Sequence, residues 1–170
     1  TGRTYPIDDR YPPRSYNNYY QAAAMAVIKI HEENSGDQPT SADILVFVPG
    51  IKEINQISII LTKANEKYRD GPISPFLLIT IEREAISKQS RGYRLIFAPP
   101  DGLPMVHSRR PGRRVIIATV VAETGVTIDT LRYVVDCGWS RNPEAYHPWG
   151  VGGILTKPAP KSRVLQRRGR

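Results

Sequence analysis

The groups in this chain that could do chemistry gather in two places. One is the stretch at residues 119–129, which carries the hydroxyls of Thr119, Thr124 and Thr127, the carboxylates of Glu123 and Asp129, and Gly125. It lies between two short apolar runs rich in β-branched residues, 115–118 and 131–135, that read as buried strands. In open α/β sheets ligands gather where loops leave the carboxyl ends of strands, so this stretch reads as the working edge. The second place is basic. Residues 101–170 hold 12 Lys and Arg against 5 Asp and Glu, a balance of +7, whereas residues 1–100 hold 12 against 11. The excess clusters at Arg109, Arg110, Arg113 and Arg114, and again from Lys157 to Arg170. Concentrated positive charge attracts polyanions and releases their counterions, which favours phosphate-bearing partners over a merely solvated basic face.

The elements that must position these groups can be read from periodicity. Residues 2–11 alternate weakly around Pro6 and fit an edge strand or an extended segment. Ser15 can cap a helix running to about His31, with Tyr19, Ala23, Val27 and Ile30 at helical spacing. That spacing suits Tyr16, Tyr19 and Tyr20 to core and rim positions rather than to a base-stacking platform. His31 closes the helix, where a partly positive imidazole complements the C-terminal dipole. A polar turn then leads to a buried strand at 43–48. It stops at Pro49-Gly50, before a helix with Ile51, Ile54, Ile57 and Leu61 on one face. Residues 75–81 read as another strand, and 82–89 as a helix broken near Gly92. Residues 98–112 read as a Pro- and Gly-rich loop longer than most connections. Residues 142–153 are rich in turn formers, 153–156 can be a short strand, and a last helix starts near Ser162. These alternations predict an α/β fold, a mostly parallel sheet flanked by helices.

At 170 residues the chain suits one domain with a substantial core. No apolar run reaches the roughly 18 residues of a membrane span, and no charged-then-apolar leader opens the sequence. The single cysteine, Cys137, reads as a small core hydrophobe of an intracellular protein. His31 and His107 lack neighbouring ligands, so no metal site is assigned.

Residues 118–129 (ATVVAETGVTID) resemble motif V of the DEAH/RHA-type superfamily 2 helicases, usually AT-N-I-A-E-T-S-x-T-I-D. The final five residues, QRRGR, are similar to the first part of motif VI, Q-R-x-G-R-x-G-R. Residues 44–54 (ILVFVPGIKEI) resemble motif IV, and residues 136–141 (DCGWSR) resemble the family's Asp-x-Gly-Phe-x-Lys. Residues 2–7 (GRTYPI) are similar to the GRxxPV segment that opens the second RecA-like domain. The likeness runs from Gly2 to Arg170. It implies that residues 1–170 are a second RecA-like domain within a longer protein, with Thr1 a boundary and the chain stopping inside motif VI.

The resemblance also implies roles. Gln166 and Arg170 would face the γ-phosphate as the catalytic pair. Gly125, Thr127 and Asp129 would join them at the nucleotide, Asp129 through a ribose hydroxyl. Thr119, Arg141 and Gly50 would meet the nucleic-acid backbone. Several positions depart from the pattern: Gly125 replaces a Ser, Val120 replaces an Asn, and Leu78-Ile79 replace a polar pair. The family's last motif VI arginine falls three places past Arg170. Read alone, Thr127 and Asp129 fit a turn or cap, Pro49-Gly50 fits an ordinary turn, and Arg167 and Arg168 fit a solvated helix face.

The sequence contains neither G-x-x-x-x-G-K-[ST] nor D-E-x-H. The resemblance therefore implies only the closing half of the machine, inactive alone. ATP and Mg²⁺ would bind only together with an upstream RecA-like domain, and an arginine offered across such a gap is worth roughly 10³–10⁵ in rate. The implied activity of the complete protein is ATP-dependent unwinding of RNA, with DNA as an alternative substrate. The implied partners are single-stranded or duplex RNA and that upstream domain, with no membrane. A nucleic-acid-binding scaffold domain without nucleotide hydrolysis is the alternative from another class. A dinucleotide enzyme is disfavoured, because no G-x-G-x-x-G follows any strand.

Overall fold

The computed structural model describes residues 6–13, 16–35, 42–81, 90–119, 127–146 and 151–170. Within them run α1 (Tyr19–Glu33), β1 (Asp43–Phe47), α2 (Ile51–Glu66), β2 (Phe76–Ile81) and α3 (Arg91–Phe97). They are followed by β3 (Arg113–Ala118), β4 (Leu131–Asp136), β5 (Trp139–Tyr146), β6 (Val151–Pro158) and α4 (Lys161–Arg168). Strands β1 to β4 form a parallel sheet in the order β2-β3-β1-β4. Strands β5 and β6 pair separately and antiparallel.

Alternation along the strands builds two cores. Ile44, Val46, Phe76, Val115, Ile117 and Val135 face Ala24 and Val27 of α1 and Ile54, Ile57 and Leu61 of α2. Leu45, Phe47, Ile79, Ile81, Ile116 and Ala118 face the other way, toward Ile96 of α3. Burial on both faces is why β1 and β3 are near-continuous apolar runs. This is the α/β sheet flanked by helices that the sequence predicts.

Three local expectations change. Helix α1 begins at Tyr19, where the Asn18 side chain accepts from the Gln21 N–H at 3.0 Å; Ser15 lies outside the described residues. Helix α3 covers Gly92 instead of breaking there, with Ser90 accepting from the Tyr93 N–H at 3.2 Å. A Cβ on Gly92 would meet the Thr80 carbonyl oxygen at 3.4 Å, so the bare Cα lets α3 lie close on β2. The helix expected at 82–89 falls outside the described residues. The turn-rich stretch after Trp139 is a hairpin, in register from Trp139↔Pro158 to Tyr146↔Val151. A full ladder outweighs the poor strand propensity of Pro143, Gly152 and Gly153.

His31 also departs from its reading as a partly charged helix terminus. It is 2% exposed, between the rings of Tyr68 and Phe76 at 5.0 and 5.1 Å, and its Nε2–H donates to the Ser74 carbonyl at 2.9 Å. Burial, reinforced by Arg113, lowers its pKa from 6.5 to about 4, so the ring is neutral. Between those values the unfolded chain binds the proton and the folded one does not. The resulting stability is present above pH 6.5 and is lost as pH falls toward 4, up to about 3 kcal/mol. Urea midpoints should therefore drop across that window more steeply for the native chain than for His31→Gln. Equal slopes would contradict a buried neutral histidine.

Candidate nucleotide and nucleic-acid site

Neighbouring strand ends bring three of the expected residues to the carboxyl edge. The Val48 N–H donates to the Ala118 carbonyl at 3.0 Å and the Cys137 N–H to the Phe47 carbonyl at 3.3 Å. Gly50, Thr119 and Arg141 follow those three strands. Arg141 reaches back over Gly50, where an added Cβ would lie 2.5 Å from its Nη1. Its Nη2 faces Glu53 Oε2 at 3.6 Å, and its Nε faces Thr156 Oγ1 at 3.4 Å. Thr119, just past the end of β3, is 7% exposed.

Glu53 is a member of this edge that the sequence reading missed. It is 5% exposed, and its Oε1 accepts from the Tyr19 hydroxyl at 2.8 Å. The Tyr19 ring stacks on Trp139 with centroids 5.4 Å apart, a packing role rather than a base platform. Burial first, and then Glu53, push the Tyr19 phenol pKa well up, so it stays a donor. The available signal was a carboxylate in the first turn of α2, beside a glycine that a cation could cover.

Helix α4 is fastened to the same edge by a residue expected in solvent. Arg167 is fully buried. Its Nη1 donates to Asp136 Oδ1 at 2.8 Å and to the Trp139 carbonyl at 3.2 Å, and its guanidinium lies 5.4 Å from the Phe47 ring centroid. This overturns the solvated-face reading for Arg167. Arg168 does stay exposed, paired with Asp9 at 2.7 Å. Gln166, in the last turn of α4, and Arg170, two residues past its end, are both exposed. The turn continues to the terminus, with the Arg170 N–H bonded to the Arg167 carbonyl at 3.1 Å.

Thr127 and Asp129 lie elsewhere. Parallel strands force the connection between β3 and β4 to return from the carboxyl edge to the amino edge. There the Leu131 N–H meets the Ile128 carbonyl at 3.1 Å, and the Asp43 N–H meets the Thr130 carbonyl at 3.0 Å. Thr127 and Asp129 are exposed at the turn into β4, about one strand length (roughly 17–20 Å) from Thr119. The stretch at 119–129 therefore touches two edges, not one. Gly125, with Glu123 and Thr124, is outside the described residues.

Much of the basic cluster before β3 is structural. Arg114 Nε donates to Asp43 Oδ2 at 2.8 Å, and its Nη1 donates to the Leu95, Ile96 and Ala98 carbonyls at 3.0, 2.6 and 2.9 Å. Arg113 donates to the Asn34 and Ala42 carbonyls at 2.6 and 3.2 Å. Arg109 Nη1 reaches the Tyr68 and Gly71 carbonyls, both at 2.7 Å. These groups are committed to the fold, so the phosphate reading contracts to exposed cations such as Lys161 and Arg170. Burial pushes the Cys137 thiol up to about 12, in keeping with a packing role. Among the described residues no group of three His, Cys, Asp or Glu could hold a metal ion.

The chain is 42% identical over 174 aligned positions to protein B962L of African swine fever virus, named as an RNA helicase, covering 99% of this chain and 18% of that protein. It is 32% identical to the pre-mRNA-splicing factor ATP-dependent RNA helicase prp22 of Schizosaccharomyces pombe, covering 99% of this chain and 13% of that one. Its structure matches the crystal structure of the Escherichia coli DEAH/RHA helicase HrpB with a TM-score of 0.70 and 28% identity, over 99% of this chain and 19% of that one. This segment belongs to the DEAH/RHA helicase family. It spans less than a fifth of the length of these DEAH/RHA relatives. No family model matches the chain. No helix among the described residues is long and apolar enough to cross a membrane.

Proposed function

We propose that this chain is the second RecA-like domain of an ATP-driven RNA helicase, the half that closes on the γ-phosphate. The observation that carries the reading is the end of α4. Buried Arg167 fixes the helix to Asp136 and Phe47, while Gln166 and Arg170 are exposed at its C-terminal end. A planar guanidinium and an amide suit phosphate oxygens. The P-loop lysine and the Mg²⁺ ligands would come from the upstream domain. The motif resemblance alone assigns Gly125, Thr127 and Asp129 to the same nucleotide, Asp129 to its ribose; Thr127 and Asp129 lie at the turn into β4, on the opposite edge from the strand ends that hold α4.

Closure on phosphate would pull α4, and through Arg167 the carboxyl edge of the sheet. Gly50, Thr119 and Arg141 sit on that edge, so movement there would shift a gripped strand. Contacts to backbone carry little sequence information, and binding should be non-specific. RNA is favoured over DNA because similar segments come from proteins named as RNA helicases.

A site split between two domains gives either one alone a small share of the ligands. Calorimetric titration of the purified chain with ATP and Mg²⁺ should show weak binding or none, and no hydrolysis. Micromolar affinity, or turnover above a buffer blank, would overturn the split-site assignment.

A further inference from the structure

Arg141 occupies the space over Gly50 that a phosphate would need to approach the main chain there. Its hold on that space is loose. Both of its side-chain contacts are long, 3.6 Å to Glu53 Oε2 and 3.4 Å to Thr156 Oγ1, and its side chain is 34% exposed. The carboxylate is fixed instead. Its side chain is 7% exposed, and its other oxygen is bonded to Tyr19, which is stacked on Trp139. Among the described residues, Glu53 Oε2 is buried with no hydrogen-bond partner. A buried carboxylate oxygen aimed at a half-exposed guanidinium, without a hydrogen bond, is an attraction a competing phosphate can outbid.

We propose that Glu53 is a positioning residue that parks Arg141 over Gly50, standing in for a nucleic-acid phosphate, and that RNA binds by drawing Arg141 off this seat. The proposal rests on the assignment of this edge to nucleic acid. Gly50 has an extended backbone, φ −167° and ψ −179°, so its lack of a Cβ serves the space above it rather than a turn conformation. Arg141 and Glu53 are thus a closed latch on the place where the backbone can be approached. Opening it frees Gly50 and turns the guanidinium outward as a phosphate ligand. Releasing the latch should strengthen RNA binding, the reverse of what loss of a merely structural residue would do.

The test is the affinity of this 170-residue chain for a single-stranded uridine oligomer at fixed low salt. Four forms are compared: native, Glu53→Gln, Arg141→Gln and the double variant. Glu53→Gln should bind roughly three- to tenfold tighter than native, and Arg141→Gln should bind more weakly. In the double variant the gain should vanish, which separates a latch from a general rise in positive charge. Unchanged or weaker binding by a folded Glu53→Gln, with Arg141→Gln still weakened, would overturn the latch and leave the RNA-binding edge standing. A gain that persists without Arg141 would overturn it too. If no form binds, the assignment of the edge to RNA fails, and the latch with it. Should Glu53→Gln melt, Glu53→Asp draws the carboxylate back while keeping its charge and should give a smaller gain of the same sign.

Discussion

Arg114→Ala should cost about 3–5 kcal/mol of folding stability, read as a lower urea midpoint with an unchanged slope. Its side chain and that of Asp43 are each 3% exposed and meet at 2.8 Å. Removing the guanidinium strands a buried carboxylate. It also leaves the Leu95, Ile96 and Ala98 carbonyls, at the C-terminal end of α3, without the donor that satisfies them. Arg114→Lys should recover little, because an ammonium cannot span Asp43 and three helix-end carbonyls with one fixed fork. The exposed neighbour Arg110 provides the control: Arg110→Ala should leave the midpoint in place. The same network also bears on the proposed site. Thr130 donates to Asp43 and lies 3.3 Å from Arg114 Nη2, and it ends the turn that presents Asp129. An Arg114 variant that tolerated alanine without loss would show the charge pair to be dispensable.

The strands β1 to β4 and the helix α2 were legible because each strand centres on a short, mostly apolar run and each breaker, such as Pro49-Gly50, falls at a strand end. The motifs were legible too, since their order is linear. Two kinds of fact were not. The first is the direction of a charged side chain. Arg113 and Arg114 head a strand buried on both sides, and their partners are Asp43 and the Asn34 and Ala42 carbonyls, remote in sequence. A basic run gives no hint of such partners. An acidic residue heading one apolar strand and a basic one heading another is the signal to seek. Arg167 has the same lesson: a single residue step along the helix separates exposed from buried, and only the packing of α4 on β4 says which. The second is geometry across the sheet. Residues 119–129 are continuous in sequence, yet parallel pairing separates Thr119 from Asp129 by a strand length. The Glu53–Arg141 contact likewise joins residues whose meeting depends on the β5–β6 hairpin, which its own prolines and glycines conceal.

Arg170 should matter to turnover and not to the fold. It is exposed at the end of α4, so Arg170→Ala should leave the urea midpoint of this chain unchanged. In a protein that joins this chain to a P-loop-bearing first domain, the same change should slow ATP turnover by roughly 10²-fold or more. That is the lower side of the range for such an arginine, because a later motif VI arginine could still act. Arg170 stands on the α4 side of the edge and not over Gly50, so RNA affinity without nucleotide should survive.

The most direct test of the closing-half assignment is therefore the ATPase rate of that two-domain protein with saturating single-stranded RNA, native against Arg170→Ala. The assignment predicts a fall of about 10²-fold with unchanged RNA affinity in the absence of ATP. Near-normal turnover would contradict it. It would leave a nucleic-acid-binding domain whose α4 end does not serve the γ-phosphate.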